Sequence, residues 1–549
     1  MEGVRPYSDE EYSEYRQYWL DMTINEAFDR TCDNSPDRVA LVEGEQRLTF
    51  PQVRRLVQKT ALAFLKLGLG KDSLVLFHLP NWTETVYAYL ALKAIGAVPV
   101  LLLPRQGRGE LEHFSGLTEA VAWIGPARYG KTEYIPIVTD LKKHGSHLEH
   151  IIVVRDEAPA GTVSFTQIME ETELTEETAG YLAGFRFSPS PDDVLHLGPT
   201  GGTTGLSKLV PTTHNAHLLK TYCFTRAVEL GYGEVTMPLG PLGHEGPNSH
   251  SLCSWILFGG KMVLNTSPLV EDLLALIEKE EVTYLFVVPT LLTDILKEPE
   301  LERYDLSSLS YILIGGAHAS PELITAATER LPGFFGAGYG STEGARSASR
   351  PGDPWEVVTR TSGRKLVPYD KYKVVDESGR ELPVGQAGEI AFRGPCRFTG
   401  YYKSREDDSL IFSPDGFYYT GDMGKFDEQG NFIVTGRKKD IIRRGAESIS
   451  AAEVEALVER CPKVARAAAI GMPDRRLGER VCVYVEPAPG MEITFDEIIC
   501  QLKAEGASTF LLPERIEVAE GLPRTAMDKV DKNKLRDEIT RKLESEGNL

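Results

Sequence analysis

Apolar residues along the chain alternate between helical spacing and short continuous runs. Residues 53–67 place theirs on one helical face, Ser73-Leu74-Val75-Leu76-Phe77 is a buried-strand run, and 83–95 is helical again. Residues 98–103 and 151–154 are further strands. Ahead of these, Ile24-Asn25-Glu26-Ala27-Phe28 has helical character. Residues 39–42 and 47–50 read as a strand pair around Glu43-Gly44-Glu45-Gln46. The rhythm resumes with a strand at 261–264, a helix at 270–279 and strands at 284–288 and 311–314. The last runs into Gly315-Gly316-Ala317, the kind of strand end where open sheets place ligands. This alternation predicts an α/β fold with largely parallel sheets.

Beyond about residue 350 the pattern becomes short strands parted by glycine turns, at 372–375, 388–392 and 431–434, which predicts a smaller β-rich subdomain. Gly436-Arg437-Lys438-Lys439-Asp440 is a dense polar run between apolar segments. It divides the chain into a large domain, 1–437, and a small C-terminal domain, 438–549. The tail reads βααβ-like and ends in a helix rich in Lys, Arg and Glu. There is no internal repeat or low-complexity tract.

At 549 residues the chain needs more than one core. Sixty basic against 80 acidic residues, a formal charge of −20, argue against a nucleic-acid backbone as the main partner and leave room for a local basic pocket for a nucleotide. The seven cysteines are scattered without a C-x-x-C pair, which predicts neither a metal cluster nor a disulfide framework and fits a reducing cytoplasm. The most membrane-like run, 85–103, contains Lys93, Gly96 and Pro99. It reads as an amphipathic helix followed by a short buried strand, and no membrane anchor is expected. A homodimer is a further expectation.

Candidate chemistry enters at Thr200-Gly201-Gly202-Thr203-Thr204-Gly205-Leu206-Ser207-Lys208. Glycines let backbone N–H groups turn inward, threonine hydroxyls add donors and a lysine adds mobile charge, which together suit phosphate oxygens. The same composition suits a flexible surface loop. It is not a Walker A loop, because Lys208 follows Gly205 by three residues with no Ser or Thr after it. Tyr339-Gly340-Ser341-Thr342-Glu343-Gly344 offers an aromatic face, a hydroxyl and a carboxylate, or simply a polar turn. Asp422 in Tyr419-Thr420-Gly421-Asp422 suits ribose hydroxyls or a cap. His244-Glu245 stands in a stretch, 241–247, whose Gly and Pro predict no regular helix. His244 suits a pocket wall or a base. Lys529 stands in a turn before the last helix, where a solvated charge run is the alternative.

Taken together and in this order, these segments resemble the adenylate-forming superfamily: acyl- and aryl-CoA synthetases, peptide-synthetase adenylation domains and luciferases. The phosphate-loop pattern matches 200–208, with Gly201 where Ser is usual and Ser207 where Pro is usual. Tyr-Gly-x-Thr-Glu matches at 339–343, Thr-Gly-Asp at 420–422, Gly-Arg-x-Lys-Asp at 436–440 and Pro-x-Thr-x-x-x-Lys at 523–529. The resemblance implies a large N-terminal domain of α/β subdomains with a β-rich subdomain, and a small mobile α+β C-terminal domain.

The resemblance also implies residue roles. Thr200, Gly202, Thr203, Thr204 and Lys208 would hold the phosphates of ATP, and Gly316, Ala317 and Tyr339 the adenine. Thr342 would touch the α-phosphate and Glu343 would bind Mg²⁺. Asp422 and Arg437 would hold the ribose, Lys439 would be the hinge, and Gly445 would belong to the cofactor-binding set. Lys529 would bridge the carboxylate and the α-phosphate. His244, Glu245, His250, Gly315 and Gly340 would form the acid pocket, with His244 also in a catalytic position.

The likeness is strongest to dihydroxybenzoate-AMP ligases and aryl or alicyclic carboxylate-CoA ligases. In the former an asparagine follows the pocket histidine; here Glu245 does, and a carboxylate there would repel the substrate unless neutralised or turned away. It could instead pair with an amino or hydroxyl group, or close the pocket through His250 or an arginine. The run 439–450 resembles CoA ligases, which makes coenzyme A the expected acceptor. Two alternatives are a freestanding aryl acid-AMP ligase loading a separate carrier protein, and a catalytically silent nucleotide-binding regulator. The presence of Glu343, Asp422, Arg437 and Lys529 argues against the regulator.

Overall fold

A computed structural model describes residues 3–176, 178, 180, 190–200, 207–317, 319–404, 410–444, 447–504, 511–525 and 529–546. Two compact units divide the chain: residues 1–200, 206–371 and 393–408 in one, and 201–205, 372–392 and 409–549 in the other. The division expected at 437/438 concerns which parts rotate, a question compactness does not address.

The first unit is built on two sheets. The nine-stranded sheet runs Arg364–Lys365, Arg346–Ala348, Phe334–Gly340, Tyr311–Ile314, Tyr284–Val287, Val235–Pro238, Lys261–Leu264, Val39–Glu43, Gln46–Thr49. Its six central strands are parallel and its edges antiparallel. In the seven-stranded sheet only the pair Val194–Pro199 and Leu209–Thr213 is antiparallel. Short all-apolar strands such as Leu74–Phe77 and Tyr311–Ile314 are buried on both faces, as parallel strands covered by helices must be.

Three local expectations change. Residues 47–50 were expected to be strand throughout, but Phe50 opens the helix Phe50–Lys66, with Pro51 in a first turn that needs no N–H donor. The helix Thr83–Ala94 is not amphipathic: residues from Thr85 to Lys93 are buried all round, because it lies in a core shared by Leu41 and Met262 of one sheet and Val75 and Leu195 of the other. Lys93 is accommodated there by donating to the Ala97 and Val194 carbonyls, each at 2.9 Å. The third change is at 245. Despite its Gly and Pro, Glu245–Pro247 begins a helix that continues as a π-helix over Asn248–Cys253 and an α-helix over Ser254–Phe258. Pro247 falls in the first turn, where proline is tolerated.

The second unit carries a four-stranded sheet of Lys371–Val375, Gly388–Arg393, Tyr418–Phe426 and Phe432–Arg437. Its other sheet orders Glu447–Ser450, Ile441–Arg444, Gly478–Pro487 and Val464–Asp474, with Arg515–Val518 parallel to Gly478–Pro487. The tail is thus richer in strand than βααβ. The long hairpin of Val464–Asp474 and Gly478–Pro487 buries one side against Ala451–Val458 and the other against Lys532–Ser545, so both its faces are apolar and no alternation marks it. No helix among the described residues is long and apolar enough to cross a membrane.

Candidate active site

The phosphate-loop candidate connects the two strands of a hairpin. Pro199 pairs with Leu209, and beyond it the Thr200 N–H donates to the Lys208 carbonyl at 2.8 Å while the Lys208 N–H donates to Thr200 Oγ1 at 3.1 Å. The Ser207 hydroxyl donates to the Thr200 carbonyl. Serine at this position therefore closes the base of the loop with a hydrogen bond that proline lacks. Gly202, Thr203 and Thr204 lie outside the described residues. Lys208 Nζ stands 4.6 Å over the Tyr401 ring.

Two strand ends of the nine-stranded sheet supply the next group. Ile314 ends a parallel strand, and Gly316 follows with φ +83°, a left-handed conformation that favours glycine; a Cβ there would meet Val288 at 3.4 Å. Gly315 lies beside Phe286, which a Cβ would approach to 3.0 Å, so both positions leave room that a side chain would fill. Ala317 follows them on the exposed side. Tyr339 and Gly340 end the neighbouring strand, Phe334–Gly340. The turn after it holds Thr342 and Glu343 and is closed by the Ser341 N–H donating to the Ala345 carbonyl at 3.0 Å. Gly344 has φ +123° and a Cβ there would stand 2.2 Å from the Cys396 carbonyl, so only glycine keeps this turn in place. Tyr401 donates its hydroxyl to Glu343 Oε1 at 2.8 Å.

The second unit brings four charged candidates together. Asp422 and Arg437 face each other across paired strands, with Arg437 Nε 2.7 Å from the buried Asp422 Oδ1. Lys439 lies in the short turn Lys438–Asp440. Burial, and then the charge of Arg437, push its ammonium below the usual range. Lys529 is positioned by Thr525, whose N–H donates to the Lys529 carbonyl at 2.7 Å and whose hydroxyl accepts the Lys529 N–H at 3.3 Å. Burial first, then the charges of Arg437 and Lys439 against the opposing pull of Asp422, lower the Lys529 ammonium to about 8. Lys529, Arg437 and Lys439 gathered beside Asp422 suit a polyanion. Gly445 lies outside the described residues.

The acid-pocket candidates lie in the first unit. His244 caps the helix at 245, its Nδ1 accepting the Gly246 N–H at 3.3 Å. Glu245 is buried and doubly bridged: Lys220 Nζ lies 2.5 Å and Arg346 Nη2 2.7 Å from its Oε1. Burial alone would raise this carboxyl, but Lys220, His217, His196 and Arg346 overcome that and hold it well below the usual range. The carboxylate is neutralised in place. Arg346 also reaches His250, Nη1 to Nε2 at 3.2 Å, and His250 packs on Phe286 with ring centroids 5.1 Å apart. Gly340 lies at the exposed end of its strand.

Family comparison accounts for these strand-end and turn motifs as one set. Residues 28–402 match the model of the AMP-binding enzyme family, and 453–529 match its C-terminal domain. The chain belongs to the AMP-binding enzyme family. It is 33% identical to a 2,3-dihydroxybenzoate-AMP ligase of Bacillus subtilis over 99% of both chains. It is 32% identical to a 2-hydroxy-7-methoxy-5-methyl-1-naphthoate-CoA ligase of Streptomyces carzinostaticus, covering 97% of this chain and 96% of the relative. Among solved structures it resembles apo MbtA of Mycobacterium smegmatis with a TM-score of 0.73 and 29% identity, covering 98% of this chain and 99% of the other. The fold is that of adenylate-forming enzymes, with a large N-terminal α/β domain and a small C-terminal domain.

Four residues of this AMP-binding enzyme's candidate site went unmarked in the sequence: Tyr401, Lys220, Arg346 and His196. Two signals were available. His217 and Lys220 stand three apart, on one buried face of the helix His214–Ala227. Gly400-Tyr401-Tyr402 is an aromatic pair after a glycine. Arg346 and His196 carry no local signal, since each sits in a short buried strand and meets Glu245 only in the fold.

Proposed function

We propose that this enzyme activates a cyclic carboxylic acid, aromatic or alicyclic, with ATP to an acyl-adenylate, and transfers the acyl group to coenzyme A with release of AMP and pyrophosphate. The observation that carries the reading is Lys529 held among Arg437, Lys439 and Asp422, a cationic group tuned for phosphate oxygens rather than for bulk water. A carboxylate is a poor electrophile. Its oxygen attacks the α-phosphorus, the bond to the pyrophosphate oxygen breaks, and negative charge grows on equatorial oxygens that donors and cations can stabilise.

Each group suits one part of this chemistry. Thr200 and Lys208, with Gly202, Thr203 and Thr204, would cradle the outgoing phosphates. Gly316, Ala317 and Tyr339 would hold adenine, and Asp422 and Arg437 the ribose. Thr342 and Lys529 would meet the α-phosphate. Glu343, an accessible carboxylate oriented by Tyr401, fits a Mg²⁺ ion, which would neutralise phosphate charge when bound. Lys439 would serve as the hinge for rotation of 438–549 between half-reactions, with Gly445 near the thiol's path. His244, His250, Gly315 and Gly340 would enclose the acid, with His244 at its carboxylate.

The acceptor distinguishes two readings. The relative named as a CoA ligase supports coenzyme A; the relative named as an AMP ligase supports a separate carrier protein. A panel of aromatic and alicyclic acids assayed for AMP release is expected to give turnover that depends on CoA. Turnover that appears only with an added carrier protein would move the reading to the second, and no pyrophosphate exchange with any acid would end both.

A pH effect follows from Lys529. Its ammonium is charged below about 8 and neutral above it, and the charged form is the one that stabilises the phosphorane-like transition state. Raising the pH therefore removes activity. For pyrophosphate exchange, kcat/KM, which reports the free enzyme, should fall about tenfold per pH unit above the break. The break in kcat should lie higher, because bound phosphates favour the protonated lysine. A flat profile between pH 7 and 10 would exclude this role.

A further inference from the structure

A cavity of about 380 Å³ lies in the first unit and shares no residue with the candidate active site. Its volume falls in the range of small-molecule sites. Asp193 and Val194 line it at the start of the strand Val194–Pro199, and Pro211 and Thr213 line it at the end of Leu209–Thr213. The phosphate-loop candidate joins the other ends of those two strands, roughly 17 Å away at the rise of a strand. Residues 4–7 and Tyr12 form another wall. The Tyr12 hydroxyl donates to Asp192 Oδ2 at 2.7 Å, and the Thr399 hydroxyl donates to the Arg5 carbonyl at 2.6 Å, which fixes this wall to the rest.

Lys93 is the buried charged side chain in the wall, 1% exposed. An ammonium has three N–H donors, and here two go to the Ala97 and Val194 carbonyls. Among the described residues no carboxylate forms an ion pair with it. Burial, against the opposing fields of Asp193 and Asp72, lowers the ammonium to about 7. The two imidazoles that feel its charge, His196 and His214, are fully buried and held below their usual range, so they stay neutral near pH 7. Asp192 and the exposed Arg5 and Lys71 complete the charged groups of the wall. A buried amine with a donor to spare is relieved by an anion placed against it. Three carboxylates in the same wall, Asp72, Asp192 and Asp193, disfavour a multiply charged one such as phosphate. We propose that this cavity binds a small organic acid, its carboxylate against Lys93 and its apolar body against Val98, Val194 and Tyr7. The site goes beyond the acid-activating reading above and does not depend on it.

The test titrates benzoate, cyclohexanecarboxylate and inorganic phosphate into the full-length protein by calorimetry, at pH 6 and at pH 8, in buffers of different ionisation enthalpy. At least one carboxylate should bind. At pH 8, where the free Lys93 is mostly neutral, binding should take up close to one proton, because the bound anion restores the ammonium. At pH 6, where Lys93 is already charged, uptake should almost vanish. Lys93→Met should weaken this binding about 10–100-fold and abolish the uptake, since a charge-assisted hydrogen bond is lost. Binding of the same acid at the active site persists in that variant, so the two sites are read separately. If Lys93→Met does not fold, Lys93→Gln, which keeps N–H donors for the two carbonyls but cannot ionise, should likewise lose affinity and uptake. Affinity and uptake unchanged in the variant, or no Lys93-dependent binding of either carboxylate, would overturn the site and leave the acid-activating function intact. Phosphate bound in preference to both carboxylates would overturn the assignment of the ligand as an organic acid.

Discussion

Lys529→Ala is expected to lower ATP–pyrophosphate exchange by about 10²–10³-fold, the cost of losing one preorganised electrostatic donor from a transition state that gathers negative charge. The lysine is held in its turn by backbone and hydroxyl bonds from Thr525 and lies among the charges of Arg437, Lys439 and Asp422. Removing its side chain also relieves repulsion from two neighbouring cations. Stability should therefore hold or rise, and the loss should appear in the rate. ATP affinity, measured by calorimetry, should change by no more than about tenfold, since Asp422 and Arg437 remain. Thioester formation from a supplied acyl-adenylate should survive, because that half-reaction no longer needs the α-phosphate stabilised. Exchange above a third of the wild-type rate would exclude the assignment.

The second large effect is on stability. Glu245→Gln keeps the shape of the side chain and removes its charge, so the buried Lys220 and Arg346 lose the carboxylate they share. Breaking a buried pair from one side costs about 3–5 kcal/mol, here divided between two cations around one carboxylate. The midpoint of denaturant unfolding should fall accordingly. Lys220→Met in the same chain should recover part of the loss, which a double-mutant cycle reads as coupling. If Glu245→Gln unfolds at the wild-type midpoint, Glu245 is not the counter-ion of this cluster.

The contrast between these two residues shows what was readable in the chain. Lys529 stands in Pro523-x-Thr525-x-x-x-Lys529, a local pattern whose spacing is itself the geometry: Thr525 is close enough in sequence to hold the lysine's turn. Asp422 and Arg437 are similar, because a hairpin pairs them directly across neighbouring strands. Glu245 was conspicuous as a carboxylate beside a pocket histidine, but its counter-ions come from 25 residues upstream on a helix and 101 residues downstream on a short strand inside the sheet. Nothing local encodes that convergence.

The sequence by itself determined the alternation of helices and strands, the glycine-ended strand at Ile314, the motif order and hence the adenylate-forming chemistry, because each depends on neighbours within a turn or a hairpin. Tertiary structure alone decided that the helix Thr83–Ala94 is buried on all sides, that Tyr401 holds Glu343, and that Glu245 is neutralised by Lys220 and Arg346. Those outcomes depend on which layers stack on which. A buried charge can persist only where such stacking brings its counter-charge within hydrogen-bonding reach.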